Sequence, residues 1–163
     1  MKYRNLTYEE LEELKSEFVT FLATHGIPVE DWVQIKTDEP DKAQRLIAIF
    51  SDVVFDKILS NVHYLEHREK DIIRIFRFGK DKVTMNGIRV EGRSAIDFTQ
   101  DQDTTTLVQL FKLSAGKLKI FTAEKSYKKD RLQEIFDLMQ SGAQILKNDR
   151  LFHTIEQLKN SNR

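Results

Sequence analysis

The stretch Asp41–Val62, DKAQRLIAIFSDVVFDKILSNV, holds the densest run of apolar side chains in the chain. Leu46, Ile49, Phe50, Val53, Val54, Ile58 and Val62 recur at three- and four-residue intervals, which predicts a helix. Ile47, Phe55 and Leu59 widen the stripe beyond one face, and Asp52, Asp56 and Lys57 leave only a narrow polar strip. A helix this apolar needs cover on more than one side. The sequence therefore places it across a sheet, with other helices flanking it.

A chain of 163 residues is the size of one ordinary domain, so a single domain over 1–163 is expected. There is no cysteine, which excludes thiol catalysis, cysteine-ligated zinc and iron-sulfur clusters. The start, MKYRNLTYEE, has no apolar segment after its positive charges, and no run approaches the ~20 apolar residues of a membrane span. A cytoplasmic location without membrane contact is the expectation. Lys+Arg and Asp+Glu balance at 26 each, so no global field draws in nucleic acid or an anionic membrane. The balance hides an asymmetry: residues 1–70 carry 9 basic and 14 acidic side chains, residues 71–163 carry 17 and 12. The two parts can attract each other, or present two faces of opposite sign to two different partners.

In chain order, Thr7 and Glu10 match a capping box, and Leu11, Leu14, Phe18, Phe21 and Leu22 keep helical spacing to Gly26, with His25 as a cap. Pro28 opens a short helix anchored by Trp32 and Ile35, and Pro40 starts the long one, so three helices precede the sheet. Residues 71–78, DIIRIFRF, read as a central strand. Gly79-Lys80-Asp81 closes one hairpin and Asn86-Gly87 signals another, with Ala95, Ile96 and Phe98 extending the meander past Gly92. Thr104–Ala115 reads as a helix, 117–123 as an edge strand, Asp130–Ser141 as an amphipathic helix, and a last helix starts near Asp149 before the polar tail NSNR. The fold class expected is α+β, an antiparallel sheet of four to five strands with three N-terminal helices and further helices packed around it.

His63-Tyr64-Leu65-Glu66-His67 fits the H-x-x-E-H pattern of inverted zinc peptidases. On a helix, His63 and His67 would share a face and clamp Zn²⁺ while Glu66 takes a proton from metal-bound water. The period changes near residue 63, however, and in a strand Glu66 points away from both imidazoles. No third ligand stands in a recognisable motif, so a framework role is favoured over a metal site and no cofactor is expected. Asp97, Asp101 and Asp103 read as a solvated turn feeding a helix cap rather than as a Mg²⁺ or Ca²⁺ loop. No G-x-S-x-G elbow or phosphate-cradling glycine loop is present. Residues 112–131 carry Lys112, Lys117, Lys119, Lys125, Lys128, Lys129 and Arg131 with Phe121 and Tyr127 interleaved. Charges with rings suit single-stranded nucleic acid, but the dominance of lysine fits a solubilised edge strand better.

Met1-Lys2-Tyr3-Arg4 with Leu6-Thr7, Phe21-Leu22-Ala23, Tyr64-Leu65-Glu66-His67, Phe121-Thr122-Ala123 with Tyr127, and Glu134-Ile135-Phe136 through Gly142-Ala143 together resemble a family of short uncharacterised proteins from Bacteroidetes. The resemblance spans most of the chain and implies a small intracellular bacterial protein without a signal peptide. It transfers no catalytic residue. The shared part is Y-L-E-H, and the family's residue at the position of His63 is not reliably histidine, which weakens the zinc reading further.

These observations point away from an enzyme and toward a module that binds another protein. Its candidate contact residues are Lys117, Lys119, Lys125, Tyr127, Lys128, Lys129 and Arg131. An RNA- or ribosome-associated factor using the 112–131 strip is one alternative. A zinc hydrolase using His63, Glu66 and His67 is the other.

Overall fold

The computed structural model describes residues 1–161, so of the polar tail Asn162 and Arg163 lie outside the described residues. Within that span the chain forms two compact units, Met1–Ser60 and a second that begins at Asn61. The division coincides with the charge asymmetry. Residues 1–60 carry 7 basic and 12 acidic side chains, and residues 61–163 carry 19 and 14, net −5 against +5.

In the first unit Thr7 caps α1 (Tyr8–Glu13), its hydroxyl accepting from the Glu10 amide while the Glu10 carboxylate accepts from the Thr7 amide at 2.8 Å. Arg4 grips the same carboxylate with both Nη atoms, at 2.8 and 2.9 Å. The first expected helix is broken at Leu14, so α2 (Lys15–Thr24) starts anew, and α3 (Val29–Asp38) and α4 (Pro40–Ser60) follow. The three-helix arrangement expected before the sheet holds, with its first helix divided into two segments at Leu14. His25 closes α2 as expected, its Nδ1 2.9 Å from the Phe21 carbonyl, and Gly26 takes φ +74 beyond it.

An aromatic cluster makes this unit's core. Phe18 meets Trp32 edge-on at 5.1 Å and tilts against Phe50 at 5.0 Å, with Leu22, Ile35, Ala43 and Leu46 around them. The stripe of α4 is narrower than its sequence suggests. Ala43, Leu46 and Phe50 are buried in that cluster, whereas Ile49, Val53 and Ile58 are exposed. Ser51, fully buried, donates to the Ile47 carbonyl and accepts the Leu6 amide, which ties the N-terminal segment to α4.

The second unit is an antiparallel sheet of five strands in the order β4-β3-β2-β1-β5. Its members are β1 (Tyr64–Arg68), β2 (Ile72–Phe78), β3 (Lys82–Val90), β4 (Leu118–Ser126) and the short β5 (Gln144–Leu146). Of the expected strand at 71–78, residues 72–78 supply the central strand, and of 117–123, residues 118–123 fall on an edge strand while Lys117 ends the short 3-10 turn before it. The helices are α5 (Thr104–Leu113), α6 (Arg131–Gln140) and α7 (Arg150–Ser161), with Asp103 and Asp130 capping the first two.

One face of the sheet carries Ile73, Ile75, Ile88 and Val90 into a core completed by Leu107, Val108 and Phe111 of α5 and Leu151, Phe152 and Ile155 of α7. Buried Asn86 fixes α7 to this face, its Nδ2 donating to Glu156 at 2.8 Å and to the Phe152 carbonyl at 3.3 Å. Helix α6 runs along the opposite face beside β1. It begins where Arg131 donates to the carbonyls of Val62 and Phe78, at 2.7 and 3.2 Å, and ends at Gly142 against the His67 ring.

Two expectations for this unit are corrected. Asn86-Gly87 is not a turn: β3 passes straight through it, and neither residue has positive φ. Gly87 is there because the Phe121 ring of β4 lies where a Cβ would stand. Ala95, Ile96 and Phe98 form no strand, since 91–103 is a loop. The fully buried Phe98 ring plugs the core against Phe111 at 6.0 Å, and the Phe98 amide donates to the Lys70 carbonyl.

Candidate functional site

The α4 helix ends at Ser60, before His63. His63 precedes β1, about 13 Å of extended chain from His67, so the two rings do not share a helical face. His67 lies on the α6 side of the sheet, against Gly142, and Glu66 points to the other side. Glu66 is buried and takes a hydrogen bond from Arg68 at 3.1 Å. Among the described residues no group of three or more His, Asp or Glu could hold a metal ion. Asp97 bonds Thr99, and Asp103 caps α5 through the Thr106 amide at 2.7 Å. These contacts hold both carboxyls below the usual carboxylate range.

The 112–131 strip separates into two sets. Tyr127, Lys125, Lys128, Lys129 and Arg131 surround the junction of β4 and α6. The Tyr127 hydroxyl donates to the Gly79 carbonyl at 2.7 Å, and partial burial raises its pKa. Glu134 accepts from Lys125 Nζ at 3.0 Å and from the Lys128 and Lys129 amides, which depress its pKa. Lys129 pairs with Asp137 at 2.8 Å, raising the lysine and lowering the carboxylate. With the Arg131 bonds to Val62 and Phe78, these contacts clasp the β2–β3 hairpin to the start of α6.

Lys119 and Phe121 belong to the other set. Their strand neighbours are not in the 112–131 stretch, and only register reveals them. Lys119 stands beside Arg89 and Ile72; Phe121 stands in a row with Gly87, Arg74 and His67. The next row holds Leu65, Phe76, Met85 and Ala123. Arg89 and Lys119 are exposed, Phe76 and Phe121 half-buried, and the Arg74 guanidinium lies 5.8 Å over the Phe121 ring. Glu69 is the acid here, hydrogen-bonded to Arg74 at 2.9 Å. That bond is the main cause of its lowered pKa, with His67 and Arg89 adding to the same positive field.

A feature of the first unit also escaped the sequence. Between α1, α2 and α3 runs a groove of ≈ 380 Å³ floored by Phe18, Leu22 and Trp32 and walled by Tyr8, Leu11, Val29, Val33 and Ile47. Tyr8 is 73% exposed and Val33 62%, although both line an apolar groove. Its charged residues, Glu12, Lys15 and Lys36, are exposed and sit at the rim. The signal was visible in hindsight: Tyr8 and Leu11 at helical spacing on α1, and Val29, Val33 and Trp32 on α3, give those helices apolar groups beyond the stripe they bury.

A model of a family of unknown function, DUF6495, matches residues 1–160. The chain belongs to this family. A search of curated proteins and a search of solved structures each found no match. The short strings scattered from Met1 to Ala143 were thus signs of an uncharacterised family whose DUF6495 model spans nearly the whole chain. Roles for residues in DUF6495 rest here on geometry.

Proposed function

We propose that this protein is a non-enzymatic binding module, working in the bacterial cytoplasm, that engages another protein through the groove of its first unit. The observation that carries the reading is Tyr8, Val29 and Val33 held at the surface around a floor of Phe18 and Trp32. Apolar side chains kept in water beside an aromatic floor are what an anchor residue from a partner displaces water from. Small-molecule sites add a few convergent polar groups, whereas this groove keeps its polar residues at the rim. The occupant that fits is the apolar face of a partner's amphipathic helix. The unit's charge of −5, with Glu9, Glu12, Glu13, Glu30 and Asp31 on α1 and α3, favours a helix whose polar face carries lysine or arginine.

The test is affinity capture from the native cell with the natural chain and with Val33→Asp, quantified by mass spectrometry. Val33 is exposed, so the variant should keep its melting temperature and lose the captured partner. Equal recovery of the same proteins by both chains would overturn the reading.

A further inference from the structure

We propose that the face of the sheet formed by β2, β3 and β4, opposite α5 and α7, binds single-stranded nucleic acid, with Arg89 and Lys119 on phosphates and Phe121 and Phe76 as base-stacking platforms. This goes beyond protein docking and uses a different unit. The residues come from three strands and converge only in the folded sheet. Arg89 and Lys119 are direct neighbours across β3 and β4. One row further along the strands, a step of about 7 Å, stand Arg74 and Phe121, and one row beyond them Phe76.

Several features separate this face from an ordinary lysine-blunted edge. First, it is cationic on balance: Arg74, Arg89 and Lys119 face Glu69. A strand that only needed protection from pairing would need no arginine on the inner strands β2 and β3. Second, the aromatic is built in. Phe121 reaches over Gly87, into space that any side chain at 87 would fill, so the sheet gives up a side chain to seat the ring there. A half-exposed ring seated on a strand is a surface on which a base can stack, and every base offers a π-face. Third, cations and rings lie in adjacent rows, which lets one strand place phosphates and bases at once. The unit's charge of +5 adds a favourable long-range field. Duplex DNA or RNA could reach the cations but could not lay a base on Phe121, because its bases are already stacked.

The test is fluorescence anisotropy of labelled oligouridine with the whole chain, over a salt series. Changing Arg89 and Lys119 together to Ala should weaken binding at low salt roughly tenfold or more and lower the log–log salt slope by roughly 1.4, two phosphate contacts' worth. Lys128→Ala with Lys129→Ala removes the same charge from the α6 junction and should leave both within about twofold. Phe121→Leu should cost roughly tenfold and Phe121→Tyr should restore binding, a pattern that charge alone does not produce. A duplex of the same length should compete poorly. The proposal is overturned if oligouridine does not bind, if the duplex competes equally, if the two double variants weaken binding alike, or if Phe121→Leu changes nothing. Circular-dichroism melts of each variant separate lost binding from lost fold. Val33→Asp should leave oligouridine binding intact, so failure of the groove reading and failure of this one are told apart.

Discussion

The groove of the first unit and the cationic face of the second are both open surfaces, yet they arise in opposite ways. The groove is local. It forms between helices consecutive in sequence, and a capping box, an Arg4 clasp and a glycine cap at Gly26 settle those helices' ends. The sheet face is non-local: Arg74, Arg89 and Phe121 meet through the pairing of β2, β3 and β4. Surfaces built from local elements fail gradually when a cap is lost. Surfaces built by register fail when a single contact across strands is wrong, because a one-residue slip sends every side chain to the other face.

Substitutions can break this contrast. The largest effect is expected from Phe50→Ala in the first unit. Removing a ring 3% exposed and packed on Phe18 and Phe21 should cost about 4 kcal/mol. Denaturation followed by fluorescence of Trp32, the chain's one tryptophan, reads it out, and a loss under about 1 kcal/mol would mean that the aromatic cluster is not the unit's core.

The glycines sharpen the comparison further. Gly87→Ala puts a Cβ into the Phe121 ring, and the ring must move, at a cost of about 2 kcal/mol that Phe121→Ala in the same chain should partly restore. Gly26→Ala meets no atom within 4 Å and costs only what a left-handed φ of +74 imposes, about 1 kcal/mol, with no rescue from any neighbour. Thermal melts of the three single variants, and of Phe121→Ala combined with each glycine substitution in turn, decide it. Non-additivity at Gly26, or additivity at Gly87, would contradict the local and non-local assignment.

The smallest effect belongs to the Arg4–Glu10 clasp. The hydrogen bond from Arg4, helped by the Thr7 amide, lowers the Glu10 pKa from 4.5 to about 2. A carboxylate with a depressed folded pKa contributes stability that is present above pH 4.5 and is lost as pH falls toward 2. The pair is more than a third exposed, so solvent screening reduces that contribution to about 1 kcal/mol or less. Glu10→Gln should therefore lower the melting temperature slightly at pH 7 and match the natural chain near pH 2. A gap that stays constant with pH would assign the effect to the helix cap instead.

The same contrast explains what the sequence disclosed. The α+β class, the central strand at 72–78, the cap at Thr7 and the helix at 131–140 rest on periods and caps within a dozen residues, and those are written in the chain. Asn86-Gly87 misled because its turn signature is local while its cause is remote: the glycine answers a ring on β4 and the asparagine answers α7. Phe98 misled for the same reason, as an apolar residue in a loop plugs a core it does not pair with. The short β5 has three residues and no pattern of its own. Of the candidate binding residues, the strip around Tyr127 was visible as a charge run, but its split into a structural clasp and a sheet-face set needed the register. The groove's apolar positions, Tyr8, Val29 and Val33, are in the sequence, but helical spacing alone does not say which of two stripes the fold covers and which it leaves open.

Reception of another protein's apolar side chain by the groove of the first unit is open to direct test. A photo-crosslinking amino acid placed at Val33, at Tyr8 and, as a control, at the exposed Thr122 of β4 tests it in the native cell. The expected result is one discrete adduct shared by the Val33 and Tyr8 positions, missing from Thr122, whose crosslinked peptide reads as an amphipathic helix with lysine or arginine on its polar side. Adducts of equal yield and identity at all three positions, or none at Val33 and Tyr8, would contradict it.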